Sequence, residues 1–106
     1  MSRSMFYITA GDAKEGEKIA KILIEKRLAA CVNVFPSIKS FFYWEGEAQS
    51  EEEVLLVGKT RTLLLDKLEA TVKENHSYDM PCIVTWKLEG GSQEFLEWID
   101  QETKKG

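Results

Sequence analysis

The chain has 106 residues, of which 43% are apolar and 30% charged, which suits one domain spanning residues 1–106, and its formal net charge of −4 lacks the cationic excess that nucleic-acid binding needs. The longest aliphatic run, Val54 to Val57, falls far short of the ~20 apolar residues of a membrane helix, so neither nucleic acid nor a membrane is an expected partner. Two cysteines outside any CxxC pair exclude a disulfide framework and a zinc-finger type site, and the absence of a signal-like region before Phe6 favours a cytoplasmic location.

Phe6–Thr9 is aromatic and β-branched and predicts a first strand, closed by Gly11. Asp12 with Glu15 three residues later has the form of a capping box, and Ile19, Ile22, Leu23 and Leu28 recur at helical spacing, predicting a helix from about Asp12 to Leu28. Cys31–Phe35 reads as a second strand, broken or bent at Pro36, which has no N–H for a sheet ladder. Phe41–Trp44 is strand-like again, the polar residues from Glu45 suit a hairpin turn, and Glu53–Thr60 returns. Along that return Val54, Leu56 and Gly58 share one face, while Glu53, Leu55, Val57 and Lys59 share the other.

Thr60 or Thr62 is placed to cap the next helix, on which Leu64, Leu68, Val72 and His76 follow at intervals of four. Asn75 to Pro81 is a polar break, Cys82–Leu88 the last strand, and Ser92 opens a final helix carrying Phe95, Leu96, Trp98 and Ile99. The order predicts an α+β fold, a ferredoxin-like βαββαβ sandwich with an extra C-terminal helix. Its first and fourth strands are neighbours and its second lies at the far edge, so Cys31 and Cys82 are expected roughly 14 Å apart, beyond the ~7 Å reach of a disulfide.

Four segments in this order, Ala30-Cys31-Val32-Asn33, Tyr43-Trp44-Glu45-Gly46, Glu53 to Thr60, and His76-Ser77-Tyr78-Asp79-Met80-Pro81, together resemble the CutA divalent-cation-tolerance family. The resemblance implies small ferredoxin-like subunits assembled as tight homotrimers, similar in architecture to the PII signalling proteins. The residues ask for a partner on their own account. Phe35, Phe41, Phe42, Tyr43, Trp44, Trp86 and Trp98 are more aromatic bulk than so small an interior holds, and a long hairpin leaves an edge strand to cover.

The resemblance places Trp44, Glu53, Lys59, His76 and Tyr78 at ligand clefts between subunits. Each also has a plain structural reading: His76 caps a helix end, Tyr78 packs, and Glu53 and Lys59 are solvated ends of a strand face. Cys31, His76 and Cys82 are the candidate metal ligands, since thiolate and imidazole suit copper or zinc, although one histidine and two distant cysteines form no spacing motif. The family loop typically reads His-Pro-Tyr-Glu-x-Pro-Glu; here Ser77 replaces the proline, Asp79 the first glutamate and Cys82 the second. Strand alternation makes Cys82 a small buried hydrophobe more readily than a ligand.

No nucleophile and base pattern occurs, so no enzyme is expected and no cofactor is required. The leading functional expectation is a cytosolic homotrimeric binding protein linked to divalent-cation tolerance. The alternatives are a PII-like regulator that binds a small anionic molecule and signals to a protein partner, and an enzyme sharing sites between subunits. The short turn from Glu45 to Ser50 argues against the regulator.

Overall fold

The structure, a computed structural model, describes residues 2–104. The chain builds a four-stranded antiparallel sheet, with β1 (Arg3–Ala10), β2 (Cys31–Trp44), β3 (Glu47–Arg61) and β4 (Ile83–Lys87) in the order β2-β3-β1-β4. Helices α1 (Ala13–Glu25) and α2 (Leu65–Glu74) cover one face. There Phe6, Ile8, Val54 and Leu56 of the sheet pack against Ile19, Leu23, Leu68 and Val72 of the helices, all buried. The predicted α+β sandwich and its strand neighbours are therefore observed, and both cysteines are free.

The capping box forms: Asp12 accepts the Glu15 N–H at 2.8 Å, and the Glu15 carboxylate accepts the Gly11 N–H at 3.1 Å. The helix stops earlier than its apolar spacing predicts. Arg27 takes a left-handed backbone (φ 57°), its N–H donates to the Ile24 carbonyl, and the Leu28 N–H donates to the Leu23 carbonyl at 2.9 Å. This is a Schellman termination in which arginine occupies the position usually given to glycine, so Leu28 is buried without being helical.

Pro36 does not break the second strand. Register is lost between Phe35 and Ile38, and the pairing resumes through Trp44 opposite Glu47. The bulge absorbs a proline because β2 is an edge strand, where a missing N–H breaks no ladder. The hairpin turn is only Glu45 (φ 51°) and Gly46 (φ 82°), the two positive φ angles of a type I′ turn, so β3 begins at Glu47 rather than Glu53. The resulting hairpin gives the molecule a long axis of 44 Å.

Neither threonine caps α2, whose start has no side-chain cap and is instead wound from a 3-10 turn over Thr62–Leu64. Thr60 donates to the Leu28 carbonyl at 2.7 Å, and Thr62 is bonded to Ser4 at 2.7 Å. The third helix, α3 (Gln93–Glu102), opens on Ser92 as expected and crosses one end of the other sheet face. Arg3 grips Asp100 through two bonds of 3.0 and 2.6 Å, Arg61 donates to Thr103, and the Lys59 ammonium lies over the Phe95 ring. Beyond α3 that face is uncovered, presenting half-buried Met5, Tyr7, Leu55 and Val57 and exposed Val84 and Trp86.

Candidate functional site

His76 follows Asn75, the cap residue of α2, and its side chain is fully buried. Its Nε2 lies 2.7 Å from the Thr9 carbonyl, which can only accept, and its Nδ1 lies 3.1 Å from the Tyr78 N–H, which can only donate. These partners assign the neutral ring with hydrogen on Nε2. Both nitrogens are thereby committed to fastening the loop onto the end of β1.

Glu15 holds the same loop from α1. Its carboxylate accepts the Ser77 N–H at 2.7 Å and the Ser77 hydroxyl at 3.1 Å, in addition to the Gly11 N–H. Burial pushes this carboxyl up, but the hydrogen bonds from Gly11 and Ser77, with His76 nearby, outweigh burial and hold it below the usual glutamate range. Tyr78 then lies beside the imidazole, ring centroids 4.7 Å apart, and over Gly11. Its hydroxyl donates to Glu53 at 2.9 Å. Burial first, then that bond and the charges of Glu53, Glu51 and Glu15, push the phenol up to about 12.

The pinned loop forms one wall of a cavity of about 630 Å³. Tyr7 and Thr9 line it from the open sheet face, and Phe41 to Trp44 with Gln49 line it from the hairpin. Among the described residues its charged groups are Glu51, Glu53 and Asp79, with no lysine or arginine in the lining. Cys82 also lines it and is exposed, not buried: it shares a face with Val84 and Trp86, and that is the sheet face left uncovered. Partial burial of the sulfur, countered by a Thr9 hydrogen bond and joined by the charge of Glu53, pushes the thiol up.

The site candidates divide between two ends of the sheet. Trp44, Glu53, Tyr78 and Cys82 border the cavity, with His76 behind it as a positioning residue. Lys59 and Cys31 face each other in the β2–β3 register, Nζ 3.8 Å from Sγ, beside α3. Six residues of extended β3 separate Glu53 from Lys59, roughly 20 Å at ~3.3 Å per residue. Among the described residues no three of His, Cys, Asp and Glu gather as a metal cluster.

Glu15, Thr9, Ser77, Glu51 and Asp79 all shape the site without standing among the site candidates named from sequence. Ser77 and Asp79 were marked only as parts of the loop segment that carries the resemblance, and Glu15 only by its capping-box position, which points to α1 and not to a loop 62 residues away.

A family model described as CutA1 divalent ion tolerance protein matches residues 4–102. The chain belongs to the CutA family. It is 49% identical over 98 residues to the divalent-cation tolerance protein CutA of Archaeoglobus fulgidus, covering 92% of this chain and 95% of that one. It is 41% identical to the chloroplastic protein CutA 1 of Oryza sativa, over 93% of this chain but only 56% of the relative, so it spans little more than half of that protein. The crystal structure of CutA1 from Oryza sativa superposes with a TM-score of 0.97 at 39% identity, covering 100% of this chain and 97% of that one. The CutA loop and hairpin signatures thus coincide with the two walls of the cavity.

Proposed function

We propose that this CutA protein is a cytosolic homotrimeric binding protein of divalent-cation tolerance, with copper or zinc as the preferred ions, and that its ligand clefts lie between subunits. One observation carries the reading: a cavity holding three carboxylates and the Cys82 thiol, with no cation in its lining, opens beside hairpin aromatics that nothing in the single chain covers. Tyr43 is 78% exposed and Trp44 49%, and both edge strands, β2 and β4, are free to pair. A second subunit laid on the hairpin would cover those rings and contribute donors that one chain lacks.

Within that reading Cys82 is the soft donor that biases the site towards copper or zinc, with Glu53 beside it. His76 orients the wall, because ligation by either nitrogen would strip a hydrogen bond from Thr9 or Tyr78. Cys31 with Lys59 lies outside this cavity, as does any anion reading centred on Lys59. Two free thiols fit a reducing compartment, the basis for proposing the cytosol.

Titration calorimetry with copper and zinc on the intact protein tests the reading. Cys82→Ser is expected to weaken binding about tenfold or more, Cys31→Ser to leave it unchanged, and acidification to weaken it as the thiol retains its proton. Equal binding by the parent and Cys82→Ser would remove the cavity as the cation site.

A further inference from the structure

We propose that the shallow depression between the end of α1, α2 and the C-terminal tail is a binding site for a small phosphate-class polyanion, of the kind represented by inorganic pyrophosphate. The depression has a volume of about 290 Å³ and is lined by Lys26, Leu28, Lys67, Thr71 and Lys104. It shares no residue with the acidic cavity, so the inference stands apart from the proposed cation function.

The fold assembles it deliberately. Lys26 is the cap residue of α1, and the left-handed Arg27 turns the chain sharply behind it. The Arg27 carbonyl then accepts the Lys104 N–H at 2.7 Å, which ties the tail beside α1. Lys67 and Thr71 are four apart on one face of α2 and complete the rim. Three lysines thus line one depression with no carboxylate among its described lining residues, in a chain whose net charge is −4.

Two neighbouring cations are paired, Lys73 with Glu69 at 3.1 Å and Arg27 with Glu102 at 3.6 Å, while Lys14, Lys18 and Lys21 of α1 have no ion pair among the described residues. Among the described residues Lys26, Lys67 and Lys104 have no such carboxylate. The adjacent Lys67, with burial and the charge of Lys26, depresses the Lys104 ammonium below the usual lysine range, as uncompensated like charges must. Thr71 is only 8% exposed and lines the depression, its carbonyl accepting from the Asn75 side-chain amide.

An anion with several oxygens answers both features at once, accepting from the Thr71 hydroxyl and neutralising more than one ammonium. A multivalent anion is favoured over a single carboxylate because the charges come from three separate parts of the chain. The depression shares no lining residue with the cavity on the open sheet face or with the hairpin.

The test is a ¹H–¹⁵N NMR titration of the full chain with inorganic pyrophosphate at low ionic strength, with orthophosphate as a second arm. Saturable shifts are expected around Lys26, Lys67, Thr71 and Lys104, stronger for pyrophosphate and weakened by added salt. The double variant Lys67→Gln with Lys104→Gln is expected to lose about tenfold in affinity, while Lys18→Gln, on the exposed side of α1, leaves it unchanged. Absence of shifts, shifts spread over the lysines of α1, or a double variant that binds as the parent does would each overturn the proposal.

Discussion

The Tyr78 hydroxyl donates a 2.9 Å hydrogen bond to Glu53, joining the loop after α2 to β3 across the mouth of the acidic cavity. Burial first, and then this bond and the nearby carboxylates, keep the phenol protonated, so the group is neutral in the folded protein up to about pH 12 against an ordinary value of 10.0. Raised above its unfolded value, Tyr78 contributes stability that is complete below pH 10.0 and is lost as the pH climbs towards about 12. A spectrophotometric titration of the folded protein should show one tyrosine ionising late, and Tyr78→Phe should remove that late step.

Glu15 works in the opposite direction. Its folded value lies below 4.5, so its contribution is present above the unfolded value and disappears as the pH falls through the folded one. Urea unfolding followed through the acid range should show the parent losing stability more steeply than Glu15→Gln. An identical slope in the two proteins would mean that the bonds to Gly11 and Ser77 do not select the charged form.

The elements were legible in the sequence wherever the deciding contacts were local. Asp12 and Glu15 announce α1, and Val54, Leu56 and Gly58 announce the buried face of β3, because caps and alternation act over a few residues. What escaped depended on partners remote in the chain or on an unusual residue in a familiar role. Arg27 ends α1 as a glycine would, so its sequence gave no stop signal. Pro36 is tolerated because β2 is an edge strand, a property of the whole sheet. Thr60 and Thr62 had nearer claims on their hydroxyls than capping α2, from Leu28 and Ser4. The loop from His76 to Tyr78 was visible as a motif, but its clamp from Glu15 and Thr9 was not. The separation of Lys59 from Glu53 was legible, because strand alternation already puts them at opposite ends of one face.

Gly58 marks the closest approach in the sheet. A Cβ there would run into the Phe6 ring and stand 2.6 Å from the Cys31 carbonyl, the latter being backbone that cannot step aside. Gly58→Ala is expected to destabilise the protein by about 2 kcal/mol through overpacking, read as a lower urea midpoint with an unchanged slope. A neutral result would show that β2 can shift away from β3.

Trp44 lies at the tip of β2, 49% exposed, and borders the cavity. As an anchor between subunits, its replacement by alanine should weaken assembly by about 2 kcal/mol or more. Dilution series of the parent and Trp44→Ala, followed by sedimentation, should separate in midpoint. Superimposable curves would make the ring a solvent-exposed group of a single chain.

The central claim is that the cavity is completed by a neighbouring subunit, and sedimentation equilibrium at low micromolar concentration tests it most directly. The account predicts one species with three times the 12.1 kDa mass of the chain. A well-folded species at the single-chain mass, with the hairpin aromatics in water, would contradict it.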